Sequence, residues 1–160
     1  MVQQDNKPVE VDFRQGDRAA KLWFLLGALW FVFFATFGFL VAIKFFYPTF
    51  LGDAAWLTFG RIRPSHINGV LFGFLSSGLL GAMIWIVPRL CATPLYRPRL
   101  ALAAPFLWTG AVLAGIIMIL MGNTQGREYA ELPWSIDVAV MVTLLLLGYI
   151  VFGTIRRRQE

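Results

Sequence analysis

Four runs without a charged residue, Leu22–Ile43, Ile67–Pro88, Leu100–Gly126 and Val138–Ile155, constrain this 160-residue chain more than any other feature. A helix crossing the hydrocarbon core of a bilayer needs about 20 mostly apolar residues. Each run approaches or exceeds that length. Lipid offers no partner to a backbone N–H or C=O, so a spanning segment must satisfy its own, and a helix does. The expected fold is an all-α integral membrane bundle of four transmembrane helices, near 20–46, 64–88, 100–121 and 134–155. Composition agrees: 58% of residues are hydrophobic and 14% charged, against about a quarter charged in a soluble domain.

The distribution of charge predicts the orientation. With four crossings, both termini share a side. Lys7, Arg14, Arg18, Lys21, Arg89, Arg97, Arg99, Arg156, Arg157 and Arg158 fall on that side, and Lys44, Arg61, Arg63 and Arg127 on the other. The excess marks the first side as cytoplasmic. Residues 1–19 then read as a polar cytoplasmic tail and 156–160 as a basic cytoplasmic end. The polar start is too long, and lacks a small-residue cleavage site, to read as a secretory signal. The net charge of +5 fits topology and anionic lipid rather than nucleic acid, since no basic–aromatic interleaving lies outside the runs. Cys91 is the only cysteine, which excludes an internal disulfide and a Cys-x-x-Cys-His haem attachment.

The chemistry concentrates in "FGRIRPSHINGVLFGF", Phe59–Phe74. His66, the only histidine, stands near the outer end of the second helix. An imidazole there needs a partner for its ring nitrogens, on a neighbouring helix or in water, or it serves as an axial haem ligand. Gly69 and Gly73 lie at i+3 and i+7 on the same face. With Ser76, Ser77, Gly78 and Gly81 they make a small-residue surface that admits another helix or a flat ligand. Arg61 and Arg63 suit the two propionates of a b-type haem through paired hydrogen bonds, or snorkel to lipid phosphates. Glu128 and Glu131 in "GREYAEL" are i, i+3 neighbours on the same outer side. They read as a solvated loop or as a hard-cation site for Ca²⁺. Asp137, in the first turn of the fourth helix, reads as structural.

"WLTFGRIRPSHINGVLFGF" followed by "GNTQGREYAELPWSIDVAV" resembles the catalytic subunit I of the cbb3-type cytochrome c oxidases, C-family haem–copper oxidases related to the nitric oxide reductases. The Arg-x-Arg-Pro-x-His and Gln-Gly-x-Glu-Tyr-x-Glu elements occur in that family's order. The likeness runs from the first helix onward and covers the N-terminal part of the family's subunit. It implies that His66 is one of two axial ligands of a low-spin haem b, with Arg63 at a propionate and Arg61 beside it. It further implies that Glu128 belongs to a calcium site and Glu131 to the propionate and proton network. In the family, the second axial histidine and the ligands of the high-spin haem and copper lie on later helices, so this chain is not expected to reduce O₂ alone. The implied partners are the remaining subunit I helices on a second chain and membrane-anchored c-type cytochromes, in a bacterial cytoplasmic membrane. A fragment of a nitric oxide reductase, or a haem-free assembly protein keeping the motif as a relic, are the alternatives.

Overall fold

A computed structural model describes residues 11–52 and 54–158. Helices α1 (Arg14–Phe46), α2 (Phe59–Leu90), α3 (Pro98–Leu120) and α4 (Trp134–Ile155) are each long and apolar enough to cross a membrane. No strand occurs among the described residues.

Helix α1 begins inside the stretch read as a tail. The reason is tertiary. Gly16, Ala19 and Ala20 are buried, and Asp17 pairs with Arg89 of α2 at 2.7 Å. Asp17 in the first turn and Lys44 in the last also complement the helix dipole. At the other end Pro48 has no N–H to extend the ladder. Lys44 is buried near that end and donates from Nζ to the Pro48 carbonyl at 3.2 Å.

Helix α2 also starts earlier than its apolar run. Arg61 and Ile62 both donate their backbone N–H groups to the Thr58 carbonyl at 3.0 Å. Pro64 therefore sits inside the helix and costs it one backbone bond, that to the Gly60 carbonyl. Arg61 and Arg63 belong to the helix and not to the preceding loop.

The middle of α2 is not α-helical. Gly69–Leu75 forms a π-helical segment between α-helical portions Phe59–Asn68 and Ser76–Leu90. Its origin lies in the packing against α1. Trp23 packs on Gly81, Trp30 on Gly73 and Phe34 on Gly69, while Ser77 meets Gly27 and His66 meets Gly38. Large residues of α1 enter notches left by small residues of α2, as close helix packing in lipid requires. The α2 positions 69, 73, 77 and 81 are four apart. An α-helix turns once per 3.6 residues, so such a stripe drifts around it by about 40° per step. The wider π turns carry more residues each and return the stripe toward α1.

Helix α3 packs behind this pair. Trp108 meets Trp23 edge-on with centroids 6.2 Å apart, and its indole N–H donates to the Phe72 carbonyl at 2.8 Å. That bond gives an indole an acceptor inside the bundle and ties α3 to the π segment. Ile84, Ala101, Ala104, Val112, Leu147 and Ile150 complete the core. The outward face of α4 remains apolar, with Val138, Met141, Val142, Leu145 and Phe152 exposed.

Candidate functional site

The C-terminal end of α1, the N-terminal end of α2 and the connection from α3 to α4 meet near His66. The ring's Cε1 edge faces Gly38, where an added Cβ would come within 2.6 Å. Nδ1 lies 2.7 Å from the Phe34 carbonyl. A carbonyl oxygen can only accept, so Nδ1 carries the proton and donates it. The lone pair of the neutral ring then resides on Nε2. A metal-ligating histidine is oriented in this way, with one ring nitrogen donating to a carbonyl while the other is kept basic. On chemistry and tautomer, His66 fits an axial ligand. Gly38 makes the fit sterically feasible, and the sequence reading did not single it out. Its signal is a lone glycine among bulky residues in "TFGFL".

The glycines have another occupant. A Cβ on Gly69 would strike the Phe34 ring and one on Gly73 the Trp30 ring. These two rings stack at 5.0 Å and 27°. Both glycines are buried under α1. The sequence reading expects them to clear a floor for a porphyrin; the flat groups seated on them in this structure are side chains of α1.

The arginines divide as well. Arg61 Nη1 donates to the Leu120 carbonyl at 3.0 Å, one of the carbonyls left without an intrahelical partner at the end of α3. A positive charge there also complements the helix dipole. The guanidinium lies against Gly122, whose φ of +93° continues the turn. Arg61 is thus engaged as a helix cap rather than turned to a carboxylate. Arg63 Nη2 pairs with Glu128 Oε1 at 2.6 Å, with both side chains partly exposed. One nitrogen of its fork is used, and a guanidinium has five N–H donors.

Glu131 turns inward. Only 6% exposed, it accepts from Asn68 Nδ2 at 3.0 Å through Oε2. The same amide nitrogen donates to the Pro64 carbonyl at 2.9 Å. Two acceptors on Nδ2 fix which way the amide points, and they leave Asn68 Oδ1 buried without a partner among the described residues. Asn68 is the second site residue that sequence reasoning missed. A polar residue two positions after the histidine, in a helix bound for the bilayer, was the available signal. Glu128 and Glu131 therefore go to different partners. No cluster of three or more His, Cys, Asp or Glu side chains able to hold a metal occurs among the described residues.

The connection itself is held from below. Thr124 Oγ1 donates to the Glu131 carbonyl at 2.9 Å, and Gln125 Nε2 donates to the Leu132 carbonyl and to Asp137 at 2.9 Å. Asp137 anchors the loop on the first turn of α4. In combination, an imidazole with a free lone pair, a buried carboxylate and a paired arginine line one end of the bundle.

Comparison with known proteins bears on what such an end is for. The model of the family "Cytochrome C and Quinol oxidase polypeptide I" matches residues 18–160. A cbb3-type cytochrome c oxidase subunit, CcoN1, of Stutzerimonas stutzeri is 34% identical over 122 residues, 76% of this chain and 26% of the relative. A cytochrome c oxidase subunit 1 homolog of Azorhizobium caulinodans is 33% identical over 146 residues, 88% of this chain and 25% of the relative. A nitric oxide reductase polypeptide of Stutzerimonas stutzeri is more distant, 26% identical over 148 residues, 82% of this chain and 30% of the relative. The chain spans about a quarter of the length of the oxidase relatives it matches. Four spanning helices, a histidine near the outer end of the second and a match over nearly the whole sequence lead to one assignment: the chain belongs to the cytochrome c and quinol oxidase polypeptide I family and resembles the cbb3-type subunit I.

Proposed function

We propose that this chain is the haem-b-binding part of a cbb3-type terminal oxidase subunit I, serving electron transfer in the aerobic respiration of a bacterial cytoplasmic membrane. The observation that carries the reading is the placement of His66: Nδ1 lies 2.7 Å from the Phe34 carbonyl, which in the neutral ring leaves the lone pair on Nε2. Bound haem b supplies a one-electron redox couple. The chain's own residues do the rest. His66 presents its lone pair in a ring whose rotation the Phe34 carbonyl and Gly38 restrict. Arg63 offers its uncommitted N–H groups to an anion beside Glu128. Glu131 is a buried carboxyl group whose Oε2 is held by the Asn68 Nδ2–H.

A bis-histidine haem needs a second imidazole, and the sequence has one histidine. The partner ligand and the machinery for O₂ reduction must come from residues outside these 160, and c-type cytochrome subunits are the proposed electron donors. The test is to co-express the chain with the later helices of a related subunit I and record reduced-minus-oxidised spectra. The expected result is a six-coordinate haem b signal that His66→Ala abolishes. An unchanged spectrum in that variant would remove the ligand assignment and favour a haem-free role.

A further inference from the structure

The end of the bundle where α1 begins and α4 finishes holds a second polar cluster. Tyr96, between α2 and α3, lays its ring on Gly153 of α4, where any Cβ would collide with it. Its backbone N–H donates to Thr154 Oγ1 at 3.0 Å, and its hydroxyl lies 2.9 Å from that of Tyr149. The guanidinium carbon of Arg157 stands 4.4 Å from the centroid of the same ring and that of Arg97 5.5 Å. Tyr96, Tyr149, Phe152, Gly153, Arg156 and Arg157 line a cleft of about 360 Å³.

Among the described residues the cations here outnumber the anions: Arg156 and Arg157 line the cleft, and Arg97 borders it at the Tyr96 ring. Arg97, Arg156 and Arg157 are exposed. The ion pairs among the described residues join Arg14 to Asp12, Arg63 to Glu128 and Arg89 to Asp17. No described carboxylate pairs with Arg97, Arg156 or Arg157. Arg97 hydrogen-bonds to the Tyr96 and Tyr149 hydroxyls, and a guanidinium's five N–H donors leave others for an anion. Two cations against one ring repel each other until an anion joins them. Phe152 and Ile155, both exposed, put apolar surface beside the cleft at the end of a spanning helix. A ligand that satisfies both has a phosphate and hydrocarbon.

We propose that this cleft binds the phosphate headgroup of an anionic phospholipid, with Arg97 and Arg157 as its principal donors and the phenols of Tyr96 and Tyr149 beside them. Basic pockets between spanning helices are suited to such headgroups.

The test follows thermal unfolding of the full chain in neutral-detergent micelles doped with phosphatidylglycerol or phosphatidylcholine. Phosphatidylglycerol should raise the midpoint by about 3 °C over phosphatidylcholine. The double variant Arg97→Gln, Arg157→Gln should lose that shift. Arg14→Gln with Arg18→Gln, the same change of charge elsewhere, should keep it. Equal midpoints with the two lipids, a shift retained without Arg97 and Arg157, or one lost equally in the control pair would overturn the proposal. Inorganic phosphate giving the full shift would assign the cleft to a free anion and overturn the lipid source. Should the Arg97, Arg157 variant not fold, wild type decides. Its shift must shrink as salt rises from about 0.05 to 0.5 M, and a salt-independent shift would sink the idea.

Discussion

The two ends of this bundle use the same residue types differently. At the end of the bundle near His66, four polar groups have partners on another element: His66 the Phe34 carbonyl, Arg61 the Leu120 carbonyl, Arg63 Glu128, Asn68 Glu131. At the end where α1 begins and α4 finishes, Arg156 and Arg157 line a cleft without a described carboxylate, and Arg97 stands beside it against the Tyr96 ring. Arg89, on that same side, is instead tied down, to Asp17, the Trp85 carbonyl and the rings of Trp85 and Phe13. The difference teaches that an arginine's role is set by its partner and not by its depth. Cations paired with a carboxylate or a carbonyl hold elements together, while those held only by aromatic rings and phenols keep capacity for an anion from outside.

If that contrast holds, substitutions at the outer end should cost folding stability and those at the opposite cleft should not. Gly38→Val should cost most, about 3 kcal/mol, because the new side chain displaces His66 from an already filled contact. Unfolding of the chain in micelles by denaturing detergent would measure it. Asn68→Ala should cost about 2 kcal/mol, since it strips a buried carboxylate of its donor; restoration of wild-type stability by adding Glu131→Leu would confirm the coupling. Arg61→Met should cost about 1 kcal/mol by uncapping α3, and amide exchange should rise in its last turn. Arg97→Gln with Arg157→Gln, in lipid-free micelles, should move stability by less than about 0.5 kcal/mol. A larger loss would mean the cleft is structural and the contrast false. The smallest effect is a titration. The hydrogen bond with Tyr149, then that with Arg97, holds the Tyr96 phenol below its ordinary value. Tyr149→Phe should move it back up, read from ultraviolet absorbance against pH.

Much of the fold was legible in the sequence, because membrane helices announce themselves through length and lack of charge. The starts of α1 and α2 were not. Both extend into polar sequence through contacts that hydropathy does not register: the Asp17–Arg89 pair for one, a tolerated Pro64 for the other. Within the site, His66 stood out by rarity and the carboxylates by charge. The small-residue face of α2 was visible, yet its occupant was not, since a glycine notch looks the same whether a porphyrin or a tryptophan fills it. Gly38 and Asn68 were missed because each matters through one contact with a residue distant in sequence. The π segment left no pattern beyond the four-residue spacing of positions 69, 73, 77 and 81.

That spacing makes the second helix sensitive to length as well as to composition, and unevenly so. A π segment is an α-helix carrying surplus backbone, and removing one residue from it lets regular geometry return. Deleting the half-buried Val70 would do this. Ser77 and Gly81 would then keep their places against Gly27 and Trp23, because the deletion consumes slack rather than turn. What would change is local: the Phe72 carbonyl, which accepts from the Trp108 indole, lies inside the segment that rewinds. Deleting the exposed Leu79, one turn beyond the segment, has no slack to draw on. Everything after it would rotate by about 100° relative to His66, and Gly81 would turn its notch away from Trp23. The residue that looks most dispensable by exposure is therefore the one whose removal disturbs the pairing of α1 and α2 more.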